Sequence, residues 1–181
     1  LRNNYLHHGH VRGILLKSRG CTVENNRIEH IALNGIVLKP ELFWLEGPIP
    51  RDIAIKDNTL VDCAFGYTGV GAILVMIGSC PPPSDRFIGT VNAANITISG
   101  NLIDHCNAGP GIVAANCEVL TVSDNQINHP FSNPLAKGKT AVENPANYCT
   151  NVSGIHKASE GIYFISCRQI DFFGNNVTSC T

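Results

Sequence analysis

The sequence predicts a right-handed parallel β-helix, a stack of short-stranded coils, and three observations carry that reading. An asparagine recurs in a fixed apolar frame, a glycine-led apolar strand follows it in each repeat, and helical periodicity is absent. Ala, Glu and Lys nowhere sustain a 3.6-residue spacing. Instead β-branched runs such as Ile53-Ala54-Ile55 and Ile96-Thr97-Ile98 alternate between Gly and Asn boundaries.

The asparagine frame occurs as Arg2-Asn3-Asn4-Tyr5-Leu6, Glu24-Asn25-Asn26-Arg27-Ile28, Lys56-Asp57-Asn58-Thr59-Leu60, Ser99-Gly100-Asn101-Leu102-Ile103, Ser123-Asp124-Asn125-Gln126-Ile127 and Phe173-Gly174-Asn175-Asn176-Val177. The anchors Asn4, Asn26, Asn58, Asn101, Asn125 and Asn175 are separated by 22, 32, 43, 24 and 50 residues. The short intervals suit one turn of a three-strand coil, and the long ones suit the same turn carrying loops. Asn tolerates a left-handed turn, and its amide can bond the Asn of the next coil about 4.8 Å away.

The second marker is a glycine-led strand: Gly13-Ile14-Leu15-Leu16, Gly35-Ile36-Val37-Leu38, Gly71-Ala72-Ile73-Leu74, Gly111-Ile112-Val113-Ala114 and Gly161-Ile162-Tyr163-Phe164. Each coil therefore reads strand, Asn turn, strand, loop, Gly-led strand, loop. One coil cannot bury its apolar face, but stacked coils bury a continuous core. The rival, a β-sandwich, predicts two-residue hairpin turns, and their signals are missing. The whole chain, 1–181, reads as one β-helix domain of about six coils. Insertion loops are expected at 40–52, 64–70, 78–94 and 131–160, and the opening in mid-repeat suggests a piece of a longer helix.

Hydrophobic residues make up 44% of the 181 and charged residues 15%, which argues against disorder. A formal net charge of −1 and a pI near 6.7 give no electrostatic case for nucleic acid. No apolar run reaches the roughly 18–20 residues of a membrane span.

The repeat resembles the pectin-lyase-like superfamily, in which an asparagine ladder occupies the tight turn between second and third strands. On that match Thr22 to Glu24 is a second strand, Arg27 to His30 a third, and Gly35 to Lys39 the next first strand. The stretch Arg12-Gly13-Ile14-Leu15-Leu16-Lys17, with Pro40-Glu41-Leu42-Phe43-Trp44-Leu45-Glu46-Gly47-Pro48, is similar to β-helix glycoside hydrolases that remove terminal α-galactose. The superfamily resemblance covers most of the chain and the narrower one residues 7–63. It implies a substrate groove along the first strands, walled by the loops where the insertions fall.

Loops on a rigid scaffold are where specificity is normally built. In the loop from Lys39 to Asp52, Trp44 is the only tryptophan and a natural platform for a sugar ring. Glu41 and Glu46 bracket it, and a glycosidase needs two carboxyl groups at a defined separation. Glu41, Glu46 and Asp62 are the catalytic candidates, with Asp104 a further carboxylate to weigh. The plainer alternative makes Trp44 a cap on the core and the glutamates solvated loop charges. Alternation points Ile14, Leu16, Ile36 and Leu38 inward and leaves Leu15, Val37, Val113 and Tyr163 outward. Pectin-cleaving hydrolases of the superfamily carry acidic residues on that outward face, and the α-galactosidase-like group carries them where this chain has Lys39-Pro40-Glu41. This chain departs from both.

Lys17 and Lys39 occupy equivalent outward positions in neighbouring coils, and with Arg12, Arg19 and Arg51 they could hold an acidic sugar. A polysaccharide lyase would want such a base beside an arginine clamp; the alternative is a solvated Lys pair that discourages misstacking. His8, His30, His105 and His129 each follow an anchor by four residues, with Asp62 and Ser179 at the same place in other coils. Stacked imidazoles explain this ladder better than a metal site, and a pH-sensitive patch is a second use for it.

Cysteines follow the register too. Cys63, Cys106 and Cys180 lie five residues after their anchors, and Cys117 and Cys167 eight before theirs, where stacking suits either disulfides or a buried thiol ladder. Cys80 and Cys149 lie in the two longest insertions, where a staple would reduce loop entropy most. No CxxC spacing occurs, so a zinc ribbon is excluded, and no motif calls for a cofactor. Sequons stand at Asn95, Asn151 and Asn176, close to the number chance gives, and with the cysteine count they favour an extracellular protein. The leading expectation is a secreted carbohydrate-active glycoside hydrolase. The alternatives are a non-catalytic structural or adhesive module, able to self-associate end to end or side by side, and a lyase.

Overall fold

The computed structural model describes residues 1–41, 44–66, 71–77, 91–107, 109–133 and 155–178. Cys80, Cys149, Cys180, Asn151 and Phe43, and most of the insertions 78–94 and 131–160, lie outside the described residues. Among the described residues every element is a strand or turn, and no helix is long and apolar enough to cross a membrane. Seventeen strands among the described residues, numbered along the chain, form three sheets.

The second strands of the coils, β3 (Cys21–Glu24), β6 (Arg51–Lys56), β9 (Ala94–Ser99), β12 (Val119–Ser123) and β16 (Gln169–Phe173), make one parallel sheet. The third strands, β1 (Tyr5–Gly9), β4 (Arg27–Ile31), β7 (Thr59–Cys63), β10 (Leu102–Cys106), β13 (Gln126–Pro130) and β17 (Asn176–Thr178), make another. The Gly-led first strands, β2 (Ile14–Leu16), β5 (Ile36–Leu38), β8 (Ile73–Val75), β11 (Ile112–Ala115) and β15 (Ile162–Ile165), make the third. Each strand pairs with its equivalent in the next coil, so the architecture is a parallel β-helix. One strand breaks the rule. β14 (Ile155–Ser159) runs antiparallel to β15 around Glu160-Gly161, a hairpin inside the stretch expected to be loop.

The register stacks like on like. Ile14, Ile36, Ile73, Ile112 and Ile162 form one inward column, and Ile28, Leu60, Ile103 and Ile127 another. These side chains are at or near full burial. Each is worth about 1.5–3 kcal/mol over exposure.

The asparagine ladder forms, with a correction to how it turns. Positive φ falls on the residue before each anchor: Asn3, Asn25, Asp57, Gly100, Asp124 and Gly174. These are the residue types that accept a left-handed backbone. The anchor itself points inward and bonds. Asn26 Nδ2 donates to Asn58 Oδ1 at 2.9 Å, Asn58 Nδ2 to Asn101 Oδ1 at 3.0 Å, and Asn101 Nδ2 to Asn125 Oδ1 at 2.9 Å. Each Oδ1 also accepts the backbone N–H of the preceding coil's anchor. Buried amides are thereby satisfied without water.

A second left-handed position follows the anchor by four residues: His8, His30, Asp62, His105 and His129, with φ between 51° and 56°. It interrupts alternation, so Ile28 and Ile31 both face inward while Glu29 and His30 face out. The recurrence of His and Asp there has this backbone cause.

The outward face of the first-strand sheet differs from the expected open groove. Leu15 is 38% exposed, but Val37, Leu74, Val113 and Tyr163 are buried in a second apolar cluster with Met76, Ala115, Ile165 and Phe131. Apolar residues on that face are therefore core, and only its beginning, beside Leu15, is accessible. The expected disulfides are also absent among the described residues: Cys63, Cys106, Cys117 and Cys167 are free thiols. Cys63 and Cys106 face the core in adjacent coils; in neighbouring coils Cys117 Sγ donates to Ala115 O at 3.5 Å and Cys167 Sγ to Ala114 O at 3.3 Å.

Candidate functional site

The accessible end of the first-strand sheet carries a charged cluster. Lys17 follows β2 and Lys39 follows β5; the pairing of Leu16 with Leu38 places the two lysines in neighbouring coils. Lys39 is buried rather than solvated, at 6% exposure. After Pro40 the chain folds into a short turn in which Glu41 and Glu46 face each other. Glu41 N–H donates to Glu46 O at 3.1 Å, Glu46 N–H to Glu41 O at 3.2 Å, and Trp44 N–H to Glu41 O at 3.0 Å. Leu45 takes a positive φ at the tip, and Trp44 stands 57% exposed.

Gly47 fixes the turn against the scaffold. Its φ is +82°, and a Cβ there would sit 2.6 Å from Lys17 Cβ and 2.9 Å from Lys17 O. Only glycine allows this approach, which brings both glutamates onto Lys17. Lys17 Nζ lies 2.6 Å from Glu41 Oε2 and also contacts Glu46 Oε2, and Lys39 Nζ lies 3.9 Å from Glu41 Oε1. Glu41 Oε2 and Glu46 Oε2, each within about 3 Å of one ammonium, therefore lie no more than about 6 Å from each other.

The electrostatics follow. The Lys17 hydrogen bond holds the Glu41 carboxyl below the usual carboxylate range, against a smaller opposing effect of burial. The same bonds, first from Glu41 and then from Glu46, push Lys17 up. Lys39 is pushed down by burial and by the neighbouring Arg12 and Lys17 charges, with Glu41 partly offsetting them. The arrangement can hold an ionised carboxylate, a second and more exposed one, and a desolvated lysine around one small volume.

Not every candidate joins it. Asp62 is on β7, in the third-strand sheet, where its Oδ2 lies 2.8 Å from His30 Nδ1 and its Oδ1 accepts from Asn107 Nδ2. Arg51 opens β6 on the second-strand sheet and is exposed; Arg19 Nε donates to Ile49 O at 2.8 Å. Asp104 lies on β10 between His105 and His129. A cavity of about 390 Å³ lined by Tyr5, His7, Arg12 and Ile31 opens on the first coil, and neither glutamate lines it. Asn95 and Asn176 are exposed, and Asn95 Nδ2 donates to Asp52 Oδ1 at 2.8 Å. Gly47 and Asn107 were not anticipated. The Gly-Pro pair after Glu46 was the available sign of the first; nothing in the sequence marked the second.

No family model matches the chain. Compared with known proteins, it is 28% identical over 146 residues to a protein named alpha-1,3-galactosidase A from Bacteroides fragilis (strain YCH46). The match takes in 78% of this chain and 23% of that protein, so the chain spans about a quarter of the length of the relative it matches.

Proposed function

We propose that this chain is part of an extracellular glycoside hydrolase of the pectin-lyase-like superfamily, acting on α-galactose-bearing glycans through Glu41 and Glu46. The observation that carries the reading is the convergence of these two carboxylates on Lys17 beside exposed Trp44. The likeness to a named galactosidase supports it independently. The meeting of one oxygen from each carboxylate on a single ammonium makes a closely spaced pair, as a retaining mechanism uses, and retention is the reading proposed here. Glu41, kept ionised by Lys17, suits the nucleophile, and the proton donor then falls to Glu46. Glu46 has to leave Lys17 and take up a proton from solvent before it can protonate the leaving-group oxygen. Two exposed sequons, Asn95 and Asn176, support an extracellular setting; the free thiols withdraw the support that disulfides would have lent.

The test is hydrolysis of terminal α-galactosides by the purified full chain, with Glu41→Gln and Glu46→Gln compared. Losses of roughly 10²–10⁴ in kcat for both are expected. Absence of hydrolysis by the wild type, or activity retained in both variants, overturns the reading.

One observation favours a second reading, a polysaccharide lyase. Burial, Arg12 and Lys17 push Lys39 down, as a proton-abstracting lysine beside a cationic clamp requires. That reading predicts an unsaturated uronate product from an acidic polysaccharide, abolished by Lys39→Ala and unaffected by Glu46→Gln.

A further inference from the structure

We propose that Asp104, His105 and His129 form a surface site for a divalent transition-metal ion of the zinc class, joining two coils on the third-strand sheet. Asp104 and His105 lie on β10 and His129 on β13, the next strand of that sheet. Asp104 Oδ1 is 2.9 Å from His105 Nδ1 and 3.0 Å from His129 Nδ1, and the three ligand atoms all lie within 4.8 Å of one another. A tetrahedral zinc with bonds of about 2.0–2.1 Å needs ligand atoms about 3.3 Å apart. Small side-chain rotations meet that requirement.

The bland explanation of the histidines accounts for part of the pattern only. A left-handed backbone favours His or Asp at this position in every coil, and His8, His30 and Asp62 occupy it as well. Backbone preference does not bring a carboxylate between two imidazoles. His30 and Asp62 form only a pair, and among the described residues Asp104, His105 and His129 are the one group of three whose ligand atoms converge. The two rings stack with centroids 4.5 Å apart, so both Nδ1 atoms come from neighbouring rungs to the same oxygen. Imidazole and carboxylate ligands suit zinc, cobalt or nickel rather than calcium. All three side chains are between 32% and 49% exposed, so an ion reaches them from solvent and water completes its shell.

On binding, each Nδ1 turns its lone pair to the ion and carries its proton on Nε2 instead. The ion adds a cross-link between the third strands of two coils, which raises stability by mass action.

The test titrates chelator-treated, tag-free full chain with zinc chloride by calorimetry and with cobalt chloride by absorption. Wild type is expected to take up one equivalent at this site, with a rise in Tm at saturation. His105→Asn and His129→Asn retain a residue that accepts the left-handed backbone, and with Asp104→Asn they should each weaken binding at least tenfold, abolish the Tm rise and leave the circular dichroism spectrum unchanged. His30→Asn, on the same ladder outside the triad, should bind as wild type does. Absence of stoichiometric binding overturns the proposal. So does equal weakening by His30→Asn, or a cobalt spectrum with thiolate charge transfer that survives His129→Asn.

Discussion

Lys17 Nζ lies 2.6 Å from Glu41 Oε2, and this bond lowers the glutamate's pKa and, with the Glu46 bond, raises the lysine's. The signs define a pH window. Glu41 has a lowered folded pKa, so its contribution is present above the unfolded value near 4.3 and is lost as pH falls through the folded one. Lys17 has a raised folded pKa, so its contribution is present below about 10.4 and is lost as pH rises through the folded value. The pair therefore stabilises most between about pH 5 and 10. Both side chains are about a quarter exposed, so Lys17→Met should cost no more than about 1 kcal/mol at pH 7. In urea unfolding the gap between wild type and Lys17→Met should narrow as pH drops below about 4. A gap independent of pH would show that Lys17 acts through packing alone.

Trp44 tests whether the 41–46 turn binds sugar or merely closes the core. At 57% exposure it is poorly placed as a core cap. Trp44→Ala should change unfolding free energy by no more than about 0.5 kcal/mol. As the only tryptophan, Trp44 makes intrinsic fluorescence a direct reporter, and galactoside addition should shift it. A loss of several kcal/mol on truncation would assign the ring to the core instead.

The ladder of Asn26, Asn58, Asn101 and Asn125 was legible because it depends on sequence period and on one side-chain type. The residue that bends was misassigned, since Asn3-Asn4 and Asn25-Asn26 leave it ambiguous. Asp57, Gly100, Asp124 and Gly174, all before their anchors, held the better clue. Alternation correctly put Val37, Val113 and Tyr163 on the outward face. It could not reveal that this face is covered, because period reports direction and coverage depends on distant chain. Glu41 and Glu46 were visible as carboxylates flanking an aromatic. Their meeting on Lys17 depends on the close approach of Gly47, a tertiary contact that no local pattern encodes.

Burial of the inward thiols predicts their chemistry. Desolvation pushes Cys63 up to about 12 and Cys106 higher still, so neither supplies thiolate near neutral pH. Peptide mapping after alkylation should find both unmodified in the native chain and fully modified in denaturant. Rapid native alkylation of either would place it outside the core. Its neighbour Cys167 and burial also hold Cys117 protonated, so Cys167, the half-buried one, should be the more reactive of that pair.

The asparagine ladder should be unevenly sensitive along its length, and Asn101 is the place to show it. Its Oδ1 accepts both Asn58 N–H and Asn58 Nδ2, each at 3.0 Å, while its own Nδ2 donates to Asn125 Oδ1, Ile55 O and Ser99 O. Asn101→Ala leaves the buried Asn58 N–H without its acceptor, while Asn58 Nδ2 keeps Val23 O and Lys56 O, and should cost about 2–3 kcal/mol. Asn4, on the exposed first rung, donates to Asn26 Oδ1 at 2.9 Å; Asn4→Ala should cost about 1 kcal/mol or less, because water replaces the lost bond. Asn101→Asp separates the two roles of the amide. It keeps the acceptor for Asn58 but sets a carboxylate oxygen against Asn125 Oδ1, so it should also destabilise, and less at low pH where the acid is protonated. Urea unfolding of the three variants at pH 7 and pH 4 reads all of this. Equal costs at Asn4 and Asn101 would mean that the coils are held by their isoleucine columns and the ladder contributes register alone.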